Sequence, residues 1–182
     1  RLAASLGELD KAVAYQMASI EQRQQIGHQT GIAFSLTNLG YVYYLQENME
    51  LAYYFCHQSI ILSHEINLSV TASQALCIMG NLAMLSGEFA TAKRYFVESN
   101  IAVPISPGGL GWAELGLGEW AKAKRFFEVG LEMMLKEGNR PVGLDAIVGF
   151  AHLFVEAQKA QQAMKLLSLV LTHEASNYEV KI

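Results

Sequence analysis

The sequence predicts an all-α fold, a stack of antiparallel helix hairpins in about five repeats with a 40-residue period. The chain has only three prolines in 182 residues and no alternating β-branched runs, so strands are not indicated. Apolar residues recur at three- and four-residue intervals, as in Leu36, Leu39 and Tyr43, which is the stripe of a helix packed on a neighbour. A motif also recurs at a regular spacing, and such internal periodicity is the signature of a repeat architecture.

The repeated motif is a turn, then an aromatic or aliphatic residue, and then an alanine. The alanines that mark it are Ala12, Ala52, Ala92, Ala123 and Ala163. Their separations are 40, 40, 31 and 40 residues, so one unit is shorter than the others. We expect the five alanines to occupy equivalent positions near the start of each second helix.

Two further sets of residues keep the same register. Small residues stand twelve positions before the marks, where they would let the two helices of a hairpin approach closely: Gly40, Gly80, Gly111 and Ala151. Residues suited to leaving a helix stand fifteen positions after the marks: Gly27, Asn67, Pro107 and Gly138. Each repeat is therefore predicted to run helix, tight turn, helix, exit loop.

These signals predict nine helices. Their ranges are 9–26, 30–46, 49–65, 69–86, 89–102, 109–117, 120–137, 141–157 and 160–173, with residues 1–6 as the remains of a preceding helix. For the shortened unit the sequence leaves two explanations open. Either its first helix is only about two turns long, or residues are missing between Val103 and Gly109.

Composition limits the classes of function. The formal charge of −4 and the pI near 5.7 give no basic footprint for nucleic acid or for an anionic membrane. No apolar stretch is long enough to span a membrane, and Arg1 opens directly into helical sequence without a signal-peptide pattern. The two cysteines, Cys56 and Cys77, are too few for a disulfide framework. We therefore expect one soluble, cytoplasmic domain over residues 1–182.

The run from Asn38 to Tyr43, followed by Met49 and Ala52, resembles the small-residue and aromatic positions of the tetratricopeptide repeat. The stretch from Gly80 through Phe96 resembles them too. The resemblance covers essentially the whole chain and implies a right-handed superhelical solenoid whose first helices line a concave face. The 40-residue period departs from the roughly 34 residues of that family, which implies longer helices.

Units joined by segments such as 25–33 look like the repeat arrays of large bacterial signalling NTPases and transcriptional regulators. This likeness implies a fragment of a larger protein, with any nucleotide hydrolysis or DNA binding located elsewhere in the parent chain. The charged fraction of only 16% agrees with a piece whose surface is partly covered.

Several candidate sites fail on context. The segment from Gly109 to Gly111 does not follow a strand, so it is not a dinucleotide-binding loop. The sequence neighbours Cys56, His57 and His64 are not spaced to converge on a metal, and we expect neither metal nor cofactor. No pair of carboxylates stands out for acid–base catalysis, so we expect no enzymatic activity.

Two surfaces are candidates for binding a partner. The first is the inner face of the first helices, where the expected partner-binding residues are Phe34, Tyr41, Tyr44, Gln74, Asn81, Met84, Trp112 and His152. The second is a basic ribbon on the second helices, formed by Lys93, Arg94, Lys124 and Arg125. These charges could bind an acidic partner, or they could simply be solvated and balanced by nearby acids. The expected function is a non-enzymatic scaffold for a protein or peptide, with self-association open. The alternative is a small-molecule or peptide sensor whose ligand changes the curvature of the stack.

Overall fold

The computed structural model describes residues 2–102 and 107–172, and within them the chain is all helical, without strands. The helices are α1 Leu2–Gln25, α2 Gln29–Leu45, α3 Met49–Glu65, α4 Ser69–Leu85, α5 Phe89–Ala102, α6 Pro107–Gly116, α7 Trp120–Glu137, α8 Arg140–Glu156 and α9 Ala160–Thr172. They divide between two compact units, residues 1–105 and residues 106–182. Unit 1 contains α1 to α5 and unit 2 contains α6 to α9.

Within each unit, every helix packs on the next helix along the chain, which confirms a helical repeat fold. In unit 1, α1 packs on α2, α2 on α3, α3 on α4 and α4 on α5, while α2 also contacts α4 directly. Unit 2 repeats this arrangement, with α6, α7, α8 and α9 packed in succession and α6 in contact with α8. The first helices of successive hairpins therefore lie side by side within each unit, α2 beside α4 and α6 beside α8.

The turns between these helices share one backbone conformation. A residue in the left-handed conformation ends the preceding helix at Gly27, Glu47, Asn67, Gly87, Gly118, Gly138 and Gln158. These positions are 20 residues apart within each unit, so the 40-residue repeat consists of two helix-plus-turn segments. At Asn67 the left-handed residue donates to the carbonyl oxygen of His64, and Leu68 donates to that of Ser63. This pair of bonds is the Schellman motif, which satisfies carbonyl groups at a helix end.

Two local predictions were wrong. Residues 1–6 were expected to belong to a helix that precedes the predicted helix 9–26, but α1 runs without interruption from Leu2 to Gln25. Pro107 was expected to lead out of a helix, but it is the first residue of α6. Proline is well suited to that position, because the first helical residue needs no backbone N–H bond.

The alanine register is confirmed in four hairpins. Ala52, Ala92, Ala123 and Ala163 are each the fourth residue of their helix, and all four are at most 2% exposed. Ala12 differs, since it lies in the middle of α1 and is only half-buried.

The shortened unit contains the ten-residue helix α6. Whether residues are missing before it depends on positions 103–106, which lie outside the described residues.

Two serines one helical turn apart on α3 have opposite surroundings. The Ser59 hydroxyl donates to the carbonyl oxygen of Ala33 at 2.9 Å and shares a bond with the Thr37 hydroxyl at 2.6 Å. The Ser63 hydroxyl is equally buried, yet its oxygen has no hydrogen-bond partner among the described residues. Ser59 thus joins α3 to α2, whereas Ser63 makes no such bond.

These surroundings give opposite expectations for alanine substitution. Ser59→Ala should lower the free energy of unfolding by about 1–3 kcal/mol, because it leaves buried partners unsatisfied. Ser63→Ala removes a buried hydroxyl that has no bond to lose, so stability should be unchanged or rise by up to about 1 kcal/mol. Urea denaturation followed by circular dichroism would measure both values. Equal destabilisation by the two substitutions would contradict the assigned hydrogen bonds.

Candidate functional site

The candidate site in unit 1 is the side of α2 and α4 that remains exposed. Both helices are 17 residues long, and neither contains a single charged residue. The neighbouring second helices are different, since α3 contains Glu50 and Glu65 and α5 contains Lys93 and Arg94. Charge in this unit is therefore segregated away from the first helices.

Eight exposed side chains on α2 and α4 follow the three- and four-residue spacing of one helix face. We call them the first-helix face: Phe34, Asn38, Tyr41, Leu45, Val70, Gln74, Asn81 and Leu85. Six of them form repeat-equivalent pairs 40 residues apart, Phe34 with Gln74, Tyr41 with Asn81 and Leu45 with Leu85. Phe34 and Tyr41 are each 41% exposed and Leu85 is 60% exposed. The face is thus apolar and aromatic, with three amide side chains among the rings.

The buried sides of the same helices fix the direction of this face. Leu39 and Gly40 on α2 are buried, and a Cβ atom at Gly40 would lie 3.3 Å from the backbone of Ala52 and Cys56 on α3. Tyr43 stacks on Phe55 with ring centroids 5.4 Å apart. Because these contacts hold one side of α2 against α3, the residues on its other side stay exposed.

The structure places the eight predicted partner-binding residues in different surroundings. Phe34, Tyr41, Gln74, Asn81 and His152 are exposed. Three others, Tyr44, Met84 and Trp112, are half-buried. Six of the eight belong to unit 1, while Trp112 and His152 belong to unit 2.

The half-buried members contribute to packing as well as to the surface. Tyr44 stacks beside Tyr41 at a centroid distance of 6.3 Å and packs on the core formed by α3 and α4. Tyr41 therefore stacks on the Tyr44 ring, which in turn packs on the core.

Trp112 has a structural role that sequence reasoning did not detect. Its indole N–H donates to Asp145 Oδ1 at 2.9 Å, which joins α6 to α8. Its ring meets Phe127 edge-on at 5.3 Å and lies 5.9 Å from the His152 ring. Only the placement of α6 beside α8 brings these residues together, because Trp112 and Asp145 are 33 positions apart in the sequence. Trp112 is consequently a packing residue of unit 2.

Two basic residues of the second helices, Lys124 and Arg94, have local partners. Lys124 forms an exposed ion pair with Glu128 at 3.6 Å, four residues away on the same helix. The Arg94 guanidinium lies over the Tyr95 ring at 5.3 Å from its centroid. These contacts favour solvated, locally balanced charges over a surface for an acidic partner.

The cysteines have the environment of packing residues. Cys56 is fully buried against α2, and burial raises the pKa of its thiol to about 12. Cys77 is half-buried, and burial also raises its pKa, while a hydrogen bond with Ser99 lowers it. At neutral pH both side chains are therefore thiols, and the thiol is less reactive than the thiolate.

Across residues 2–102 and 107–172, no cluster of three His, Cys, Asp or Glu side chains is arranged to hold a metal ion.

No protein-family model matches the chain, and no curated protein is significantly similar to it. Within the described residues, no helix is both long and apolar enough to cross a membrane.

Proposed function

We propose that the first-helix face of unit 1 binds a polypeptide and that the chain is a non-enzymatic scaffold. One observation supports this proposal most strongly. The helices α2 and α4 expose two aromatic rings and three large aliphatic side chains, yet contain no charged residue. Surfaces that contact only water rarely combine these properties, whereas the cores of protein interfaces are depleted of charge and enriched in aromatic residues.

The polar groups on the face favour an extended segment as its ligand. Asn38, Gln74 and Asn81 are exposed amides that can both donate and accept hydrogen bonds. An extended peptide presents free backbone N–H and C=O groups for such bonds, whereas a helix satisfies its own. The rings of Phe34 and Tyr41 would supply the desolvated contact area.

The absence of charged residues from α2 and α4 also indicates the chemistry of the partner. A face without charge offers no ion pair to an acidic or basic motif, so binding a charged side chain would cost desolvation without compensation. The segment bound should therefore present apolar side chains toward α2 and α4.

The resemblance to the repeat tails of bacterial signalling NTPases and regulators extends the proposal to a docking part of a cytoplasmic regulator. The segment could then come from the parent protein, a second copy or a separate partner.

Alanine substitution would test the face. Tyr41→Ala should weaken binding of the partner by about 1–3 kcal/mol, because it removes a central aromatic contact. Tyr54→Ala is the matched control, since Tyr54 is 53% exposed but lies on the second helix α3. Lys93→Ala, on α5, should also bind normally.

The measurement is isothermal titration with the partner recovered by pull-down from the source cells, after circular dichroism has shown that each variant is folded. If Lys93→Ala or Tyr54→Ala abolished binding while Tyr41→Ala bound normally, the second helices would be the interface. The proposed face would then be wrong.

A further inference from the structure

The last hairpin of unit 2, formed by α8 and α9, exposes a group of apolar side chains. We call this group the end face, and its members are Val155, Met164, Leu167 and Leu171. The spacing of Met164, Leu167 and Leu171 places them on one side of α9. The neighbouring side of α9 is packed, since Ala163 and Val170 are at most 2% exposed.

Leu167 stands at a repeat position that is fully buried in two other hairpins. It follows its alanine mark by four residues, as Cys56 and Phe127 do. Both of these residues are 0% exposed, whereas Leu167 is 38% exposed. Cys56 lies in a core that α4 helps to form, and the Phe127 ring is approached closely by Gly149 of α8. In both hairpins, the first helix of the next hairpin therefore covers this position.

The same difference is found at two more positions of the end face. Val155 is 53% exposed, whereas its repeat equivalent Leu115 is 8% exposed in a core shared with Ala146 of α8. Leu171 is 60% exposed, whereas its equivalent Ile60 is half-buried against the core of α3 and α4. Three residues of the end face thus correspond to packing residues that another helix covers.

The helices that cover these positions elsewhere bring only small or apolar groups to them. Helix α4 contributes Ala75 and Met79, and α8 contributes Ala146 and Gly149. Helix α9 of a second copy offers the same chemistry, because it exposes Ala160 on the side that carries the end face. The end face is therefore complementary to itself in residue type.

The distribution of charge on α9 also permits self-association. Its single charged residue is Lys165, which lies two positions from Leu167 and so points about 160° away around the helix. A two-fold interface brings the same surface of both copies together, so a charge within it would meet a like charge. No member of the end face is charged, and antiparallel α9 helices would also align opposite dipole ends.

We propose that the end face is the interface of a homodimer, in which α9 packs against α9 of a second copy across a two-fold axis. Val155 on α8 extends the contact. Because only two helices of each copy take part, the interface is small and the dissociation constant should be about 1 µM or higher. This activity goes beyond polypeptide binding, and it uses no residue of the first-helix face.

Sedimentation equilibrium of the full chain would test the dimer, over a range of about 1–200 µM that brackets a micromolar dissociation constant. We expect the mean mass to rise with concentration from the 20.1 kDa of one chain toward twice that value. A mass that stays at 20.1 kDa over the whole range would overturn the inference.

Three glutamate variants locate the interface. Leu167→Glu and Leu171→Glu should each abolish the dimer, because each places two like charges in the contact. Leu171 is 60% exposed, so this variant should fold even if Leu167→Glu does not, and circular dichroism would check both. Leu169→Glu is the matched control, since Leu169 is 52% exposed on the same helix and points about 160° away from Leu167 and Leu171. A dimer that persists in Leu171→Glu, or is lost equally in Leu169→Glu, would contradict the proposal.

Tyr41→Ala separates this proposal from polypeptide binding. The variant should dimerise normally, because Tyr41 lies on the first-helix face of unit 1. A dimer that is lost in Tyr41→Ala and kept in Leu171→Glu would assign self-association to the first-helix face. The end-face proposal would then be wrong, while polypeptide binding by the first-helix face would stand.

Discussion

Replacing Gly80 by leucine should lower the free energy of unfolding by about 1–3 kcal/mol or more. A Cβ atom at Gly80 would lie 2.5 Å from Cε1 of Phe96, which is closer than carbon atoms approach without strain. The ring cannot move aside readily, because Phe96 is only 1% exposed. Gly40→Leu should be destabilising for the same reason, since its Cβ would meet the backbone of α3.

Gly7→Leu is the control for this prediction. Gly7 lies within α1, and a Cβ atom there would have nothing within 4 Å. Replacing an exposed helical glycine should be neutral or stabilise the chain by about 0.5–1 kcal/mol, since glycine is a poor helix former. Chemical denaturation followed by circular dichroism measures all three variants. Identical unfolding of Gly7→Leu and Gly80→Leu would refute the close approach of α4 and α5.

The largest effect is expected from Phe127→Ala, at about 3–5 kcal/mol. Phe127 is fully buried in unit 2, where its ring contacts Trp112 and Phe150. The backbones of α6 and α8 close on the same ring at Gly111 and Gly149, where an added Cβ would come within 3 Å of it. Truncation would therefore leave a cavity between three helices that cannot readily collapse.

Tryptophan fluorescence can follow this unfolding, because both tryptophans, Trp112 and Trp120, lie in unit 2. Val129→Ala is the control, since Val129 is 48% exposed on the same helix and should change stability by less than about 0.5 kcal/mol.

The contact between the Phe127 ring and Gly111 can be tested separately. Phe127→Leu should relieve part of the strain of Gly111→Ala, giving a coupling energy of about 0.5–3 kcal/mol in a double-mutant cycle. Strict additivity would show that the ring and Gly111 do not touch.

The hairpins were predictable because their signals are local and repeated. A small residue is required wherever two backbones approach, and Gly80 with Phe96 and Gly111 with Phe127 meet that need at the same spacing. The left-handed turns were only partly predictable. Gly27 and Asn67 suit that conformation, but Glu47 and Gln158 adopt it without any such preference. At those two positions the packing of the flanking helices overrides local propensity.

The candidate site was predictable in outline and not in detail. Exposure of Phe34, Tyr41, Gln74 and Asn81 follows from helical periodicity once the buried side of each helix is known. The bond from Trp112 to Asp145 depends on how α6 and α8 lie side by side, which periodicity within one helix does not report. Ser63 was missed for a similar reason, since a lone serine in a helix gives no sign of whether its hydroxyl has a partner.

The most direct test of the proposed binding face is site-specific photocrosslinking of the full chain in cells. A benzophenone amino acid would be placed at Tyr41 on the first-helix face and, in a separate variant, at Tyr54 on α3. Both residues are exposed tyrosines, so the two variants differ mainly in which side of unit 1 carries the reactive group. The account predicts a crosslinked polypeptide with the group at position 41 and none with it at position 54. A crosslink at position 54 alone, or at neither position, would contradict it.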